Sequence, residues 1–162
     1  MEEPKWEGKA TAKVQAAKAD QVWLLLHDFC SIDKYLGAID TCYDIEGSYG
    51  LPGLIRYCST TVPSYGGSED HEIKWCHEKL LEVDSINRCL IYEVMENNMG
   101  INSYVATLKV IPLDDDNSGC IIEWSYITLP IDGFTDGNFL SYIDYSVHSI
   151  AENMSKALEV KD

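Results

Sequence analysis

Residues 5–16 alternate, with Trp6, Gly8, Ala10, Ala12 and Val14 on one side and Glu7, Lys9, Thr11 and Lys13 on the other. A period of two predicts a half-buried strand. From residue 18 the period lengthens, with Val22, Leu25, Leu26 and Phe29 at helical spacing, and "SIDKYL" predicts a second short helix capped by Ser31. Six strand-like runs follow at 41–47, 54–62, 71–84, 88–97, 102–112 and 120–130. A turn cluster separates each run from the next, which predicts an antiparallel meander. Over 136–160, Leu140, Ile143, Val147, Ile150, Met154 and Leu158 recur at steps of three and four. That is a long amphipathic helix whose apolar stripe must lie on the sheet. The order predicts an α+β fold in one domain, 1–162: a curved seven-stranded antiparallel sheet around a long C-terminal helix, with two short helices after the first strand. Such a curve leaves room under the helix, and a cavity there is the default ligand site.

Some strands show readable faces. Tyr104, Ala106, Leu108 and Val110 point inward from one, and Ile122, Trp124, Tyr126 and Thr128 from the next. Two strands resist. In "LIRYCSTTV", Leu54, Arg56, Cys58 and Thr60 oppose Ile55, Tyr57 and Ser59, and neither face is cleanly apolar. In 71–84, Glu72, Lys74, Cys76, Glu78 and Leu80 oppose Ile73, Trp75, His77, Lys79 and Leu81. Pattern favours the second set as the buried one and leaves Glu78 in solvent.

Composition narrows the partners. A net charge of −15 repels phosphate backbones and anionic headgroups, so neither nucleic acid nor a membrane is expected. No apolar run approaches the ~20 residues that span a bilayer. The acidic "MEEPKWEGK" has no signal-like stretch, which predicts a cytoplasmic location. The six cysteines, at 30, 42, 58, 76, 89 and 120, form no CxxC pair and read as reduced, buried small hydrophobes. Histidines at 27, 71, 77 and 148 have no ligand spacing, so no metal or other cofactor is expected. Ser141, Asp144 and His148 fall on one helix flank and read as an i,i+4 pair rather than a triad. Oligomeric state is left open.

The segments "KWEGKATAKV", "VWLLLHDF", "IEGSYGLPGLIRY", "HEKLLEVD", "INSYVATLKV" and "IIEWSY" resemble the plant lachrymatory factor synthases, over about residues 5–160. Those proteins belong to the START-like, birch-pollen-allergen-type superfamily, also described as polyketide cyclase/dehydrase and lipid transport proteins. The resemblance implies a helix-grip fold and a cofactor-independent isomerase or cyclase, acting by proton transfer on a small hydrophobic molecule with one polar end. It assigns Arg56 of "RY" to the polar end, Glu78 of "HEKL" to the proton and Tyr104 of "YVAT" to a developing negative oxygen. Trp124 of "EWSY" and Tyr92 match pocket aromatics. Tyr126 and Leu108 on inward faces, Cys58 on the face of Arg56, and Lys74 complete the candidate substrate-binding set. The resemblance thus turns Arg56 and Glu78 inward, against the alternation. Lys74 and Ser149 stand where the family carries aromatics, which implies a wider or more polar cavity and a different substrate. The same cavity without chemistry would make a carrier or sensor of a small metabolite. Two glycines and a proline in the loop 62–70, "VPSYGGSED", predict mobility there, and whether it acts as a lid is left open.

Overall fold

A computed structural model describes residues 5–15, 17–63, 71–113 and 119–159, so the loop expected to be mobile lies outside the described residues from 64 to 70. The alternating first segment forms β1 (Trp6–Gln15), with Ala10, Ala12 and Val14 buried. Helix α1 (Ala19–Leu26) buries Val22, Trp23 and Leu26. The second short helix is a 3-10 segment, Phe29–Lys34, and it is interrupted at Ser31. Ser31 is therefore not its cap. Asp28 holds that position, and its side chain makes no capping bond. Asn153 of the C-terminal helix donates to the Tyr35 carbonyl at 2.8 Å and ties this region to the helix.

Strands β2 (Thr41–Glu46), β3 (Ile55–Pro63), β4 (His71–Asp84), β5 (Cys89–Asn97), β6 (Val105–Pro112) and β7 (Gly119–Thr128) follow. They form one seven-stranded sheet in the order β1-β7-β6-β5-β4-β3-β2, with every neighbour antiparallel. The meander is complete, and β1 joins it beside β7. The long helix α2 (Asp136–Glu159) packs on β1 and β7, which gives the helix-grip arrangement.

The stripe of α2 differs from expectation at its first turn. Phe139, Ile143, Val147, Ile150 and Met154 are buried, whereas Leu140 is 37% exposed. Phe139 takes the inward place because its ring meets Tyr126 edge-on at 4.9 Å and Trp6 at 6.3 Å. An aromatic ring there covers more of the sheet end than a leucine would.

On β4 the pattern misleads. Cys76, Glu78 and Leu80 are buried, and Ile73 is 55% exposed. The apolar residues of the outer face have a use of their own. Trp75 stacks on Tyr57 at 6.3 Å, Tyr57 stacks on Tyr43 at 5.0 Å, and His77 packs against Trp75 at 5.1 Å. Cross-strand aromatic pairs stabilise a sheet from its solvent side as well as from its core. A register shift between Leu80 and Glu82 then ends the simple alternation, so a count along the whole strand mixes two faces.

Candidate functional site

Arg56 and Glu78 are register partners on β3 and β4, and both project inward. Arg56 is 4% exposed. Its Nε donates to Glu78 Oε1 at 2.8 Å, and Nη2 reaches the same oxygen at 2.7 Å. Nη1 donates to the backbone carbonyl of Phe29. The guanidinium lies 3.7 Å over the Phe29 ring and 5.2 Å from that of Tyr92. A buried arginine requires such company, since an unpaired charge here would cost several kcal/mol. Burial works against the cation, but Glu78, followed by Cys58, Tyr92 and Cys42, outweighs it and holds the proton on Arg56 more firmly than usual.

The interior face is laid out in rows by strand register. One row runs Leu80, Tyr92, Ala106, Tyr126, Gly8 and a second runs Leu90, Leu108, Trp124, Ala10. In the first row Ala106 separates the rings of Tyr92 and Tyr126, and Gly8 and Ala10 leave room for Tyr126 and Trp124 where the rows meet β1. Gly8 is required in this position: a Cβ there would lie 2.5 Å from the Tyr126 hydroxyl and 2.7 Å from its Cζ.

Tyr104 lies just before β6, after Ser103 in a left-handed conformation (φ 55°). The Asn97 side chain organises the preceding loop, accepting from the Met99 and Ile101 amides and donating to the Met95 and Ile101 carbonyls. Tyr104 stacks on Tyr126 with centroids 6.2 Å apart and packs 6.1 Å from Tyr92. Its hydroxyl accepts from the Trp124 indole at 3.1 Å. Burial pushes the Tyr104 phenol up, and the hydrogen bonds with Tyr92 and Trp124 offset only part of that. Burial also drives Tyr92 well above the ordinary phenol range, with Tyr104 adding to it. The Tyr126 hydroxyl is buried and lacks a hydrogen-bond partner among the described residues.

The structure thus gathers Arg56, Glu78, Cys58, Tyr92, Tyr104, Trp124, Tyr126 and Leu108 on one buried face. Lys74 stands apart. It is partly exposed near the start of β4 and pairs with Glu72 at 3.1 Å. The room expected between sheet and helix is occupied by these side chains, with Tyr92 2% and Tyr104 4% exposed. Two hollows lie elsewhere: one of about 430 Å³ on the outer face, lined by Glu7, Lys9, Thr107, Ser125 and Ile127 among others, and one of about 280 Å³ beside α2. Asp144 and His148 form the expected exposed pair, at 3.6 Å.

Sequence reasoning missed Phe29, Phe139 and Gly8. The Phe29 carbonyl leaves no mark in a residue pattern, whereas the succession Gly8, Ala10, Ala12 on one strand side is a signal of close neighbours that could have found Gly8. Among the described residues, no group of three His, Cys, Asp or Glu side chains is placed to hold a metal, and no helix is long and apolar enough to cross a membrane.

The family model described as polyketide cyclase / dehydrase and lipid transport matches residues 6–159. The chain belongs to that family. Solved structures agree on the fold. The protein XoxI of Bacillus cereus superposes with a TM-score of 0.74 at 18% identity, covering 97% of this chain and 99% of its own. A protein of Thermobifida fusca gives 0.68 at 22%, covering 93% of each chain. An uncharacterized protein of Bacillus thuringiensis gives 0.68 at 16%, covering 91% of this chain and 98% of its own. The family's description joins cyclases and dehydrases with lipid transport, so membership points to a small-molecule ligand held by a helix-grip fold.

Proposed function

We propose that this family member is a cofactor-independent, lachrymatory factor synthase-like isomerase or cyclase of plant type, moving a proton on a small hydrophobic metabolite with one polar end. The observation that carries this reading is the Arg56–Glu78 pair, buried among the Tyr92 and Tyr104 phenols rather than in a plain apolar core. Arg56 binds the polar end of the substrate. Its bonds to Glu78 both fall on Oε1, and the Cys58 thiol, at 3.8 Å, faces that oxygen too. Oε2 is then the oxygen left to take or return a proton. Tyr104, aligned by the Trp124 indole, donates its hydroxyl proton to the oxygen on which negative charge develops. Because this face is nearly sealed, substrate entry requires the surrounding side chains to part.

A carrier or sensor is the second reading. It is favoured by the commitment of Arg56 to Glu78 and to the Phe29 carbonyl, which is a binding geometry without need of chemistry. Wild type and Glu78→Gln should be incubated with a panel of small thials, enals and carboxylic acids, with binding followed by native mass spectrometry and products by chromatography. Conversion by wild type with binding alone by Glu78→Gln establishes the enzyme. Retention of the same compound unchanged by both establishes the carrier.

A further inference from the structure

Cys42 and Cys58 are register partners on β2 and β3, and their sulfurs lie 3.5 Å apart. Directly opposed residues of antiparallel strands have Cα atoms about 4.5–5.5 Å apart, inside the range of roughly 4.4–6.8 Å from which a disulfide closes. Both are free thiols, and β2 is an edge strand. Cys42 is half-buried at that edge, while Cys58 lies buried behind it. A small oxidant therefore reaches Cys42 first and Cys58 is placed to answer.

The surroundings separate the two thiols chemically. The hydrogen bond from Cys58 pushes the Cys42 thiol down, Arg56 adds to this, and burial opposes it. Burial instead pushes Cys30 and Cys120 each up to about 11, and raises Cys76 and Cys89 as well. Thiolate character and access together select the attacking sulfur.

We propose that Cys42 and Cys58 form a peroxide-responsive dithiol that closes to a cross-strand disulfide. The Cys42 thiolate attacks one oxygen of a hydroperoxide and breaks the O–O bond. The other oxygen leaves as alkoxide and takes a proton to become the alcohol, or water when the oxidant is hydrogen peroxide. The Cys58 sulfur then displaces the hydroxyl of the Cys42 sulfenic acid, which departs as water with the Cys58 proton. Two thiols lose two electrons and the peroxide gains them. Closure also removes the Cys58 S–H from Glu78 Oε1, 3.8 Å away, so the oxidation state is felt at the buried ion pair.

The test needs no substrate and is independent of the function proposed above. The full chain is titrated with hydrogen peroxide, remaining thiols are alkylated, and the digest is mapped by mass spectrometry. The expected result is loss of two of the six free thiols, a linked peptide joining Cys42 to Cys58, and recovery of both with dithiothreitol. Cys42→Ser should abolish the link. Cys58→Ser should stop at a sulfenic acid on Cys42, trapped by dimedone. Full alkylation after excess peroxide, a link between other cysteines, or overoxidation of Cys42 without a link in wild type would each overturn the proposal.

Discussion

Arg56 donates twice to a single oxygen of Glu78, from Nε at 2.8 Å and Nη2 at 2.7 Å, across neighbouring strands inside the sheet. Removing one partner of such a pair strands the other charge, which costs about 3–5 kcal/mol, whereas replacing both with apolar residues of similar volume is near neutral. Arg56→Met alone is therefore expected to lose roughly that much stability, and Arg56→Met with Glu78→Leu to regain most of it. Urea unfolding of the three proteins decides. A double variant as unstable as the single one would show that the arginine matters for its packing on Phe29 and Tyr92 and not for its charge.

Gly8 predicts a sign as well as a size. Alanine normally strengthens a strand relative to glycine, because glycine has more backbone freedom to lose. Here the added Cβ would meet the Tyr126 ring, which is held by Tyr104 and Phe139 and has little freedom to retreat. Gly8→Ala should destabilise by about 1–3 kcal/mol. Gly37, where an added Cβ would meet nothing within 4 Å, is the control. A lower thermal midpoint for Gly8→Ala beside an unchanged one for Gly37→Ala is the expected result.

The element order was legible in the sequence because turn clusters separate the strands and one helix carries a continuous stripe. The placement of Leu108, Trp124 and Tyr126 was legible too, since their strands alternate without interruption through the buried span, and buried Tyr104 keeps the phase of β6 one residue before that strand begins. Arg56 and Glu78 were not, and the reason is physical. Alternation ranks faces by how oily they are, and β4 carries its aromatic residues on the outer face and a carboxylate on the inner one. Only the likeness of the "RY" and "HEKL" segments to a known family turned those two residues inward. Which face buries a charge depends on a partner one strand away, and that partner is invisible in either strand alone.

Tyr92 and Tyr104 should resist ionisation. Burial raises both phenols above the ordinary value of 10.0. A group whose folded value is raised leaves stability intact below its unfolded value and erodes it as the pH climbs beyond. Stability should accordingly hold up to about pH 10 and fall above it. In an ultraviolet titration the exposed tyrosines should ionise reversibly, and the last phenols only together with loss of the near-ultraviolet circular dichroism. Tyr104→Phe should make the alkaline fall shallower. Smooth ionisation of all tyrosines with the fold intact would contradict the sealed packing of this face.

Asp84 carries the acid side of the same argument. At the β4–β5 turn, its Oδ1 accepts from the Ile86 and Asn87 amides at 3.1 Å each, and its Oδ2 accepts from the Asn87 side chain at 2.7 Å. These bonds, that of the Asn87 side chain foremost, hold the carboxyl below its ordinary value of 3.8 although it is fully solvated. A depressed carboxyl contributes stability that is fully present above its unfolded value and is lost as the pH falls through its folded one. The stability difference between wild type and Asp84→Ala should therefore be constant near neutrality and shrink once the pH drops below 3.8. Referring each pH to the variant removes the background of the other acidic side chains, which titrate in both proteins. Asp84→Asn keeps an acceptor oxygen without the charge, so it should lie between the two at neutral pH and show no narrowing of its own. A wild-type advantage that persists unchanged into strong acid would mean that the turn is held by its backbone, in which Arg88 takes a left-handed conformation (φ 55°), rather than by the carboxylate.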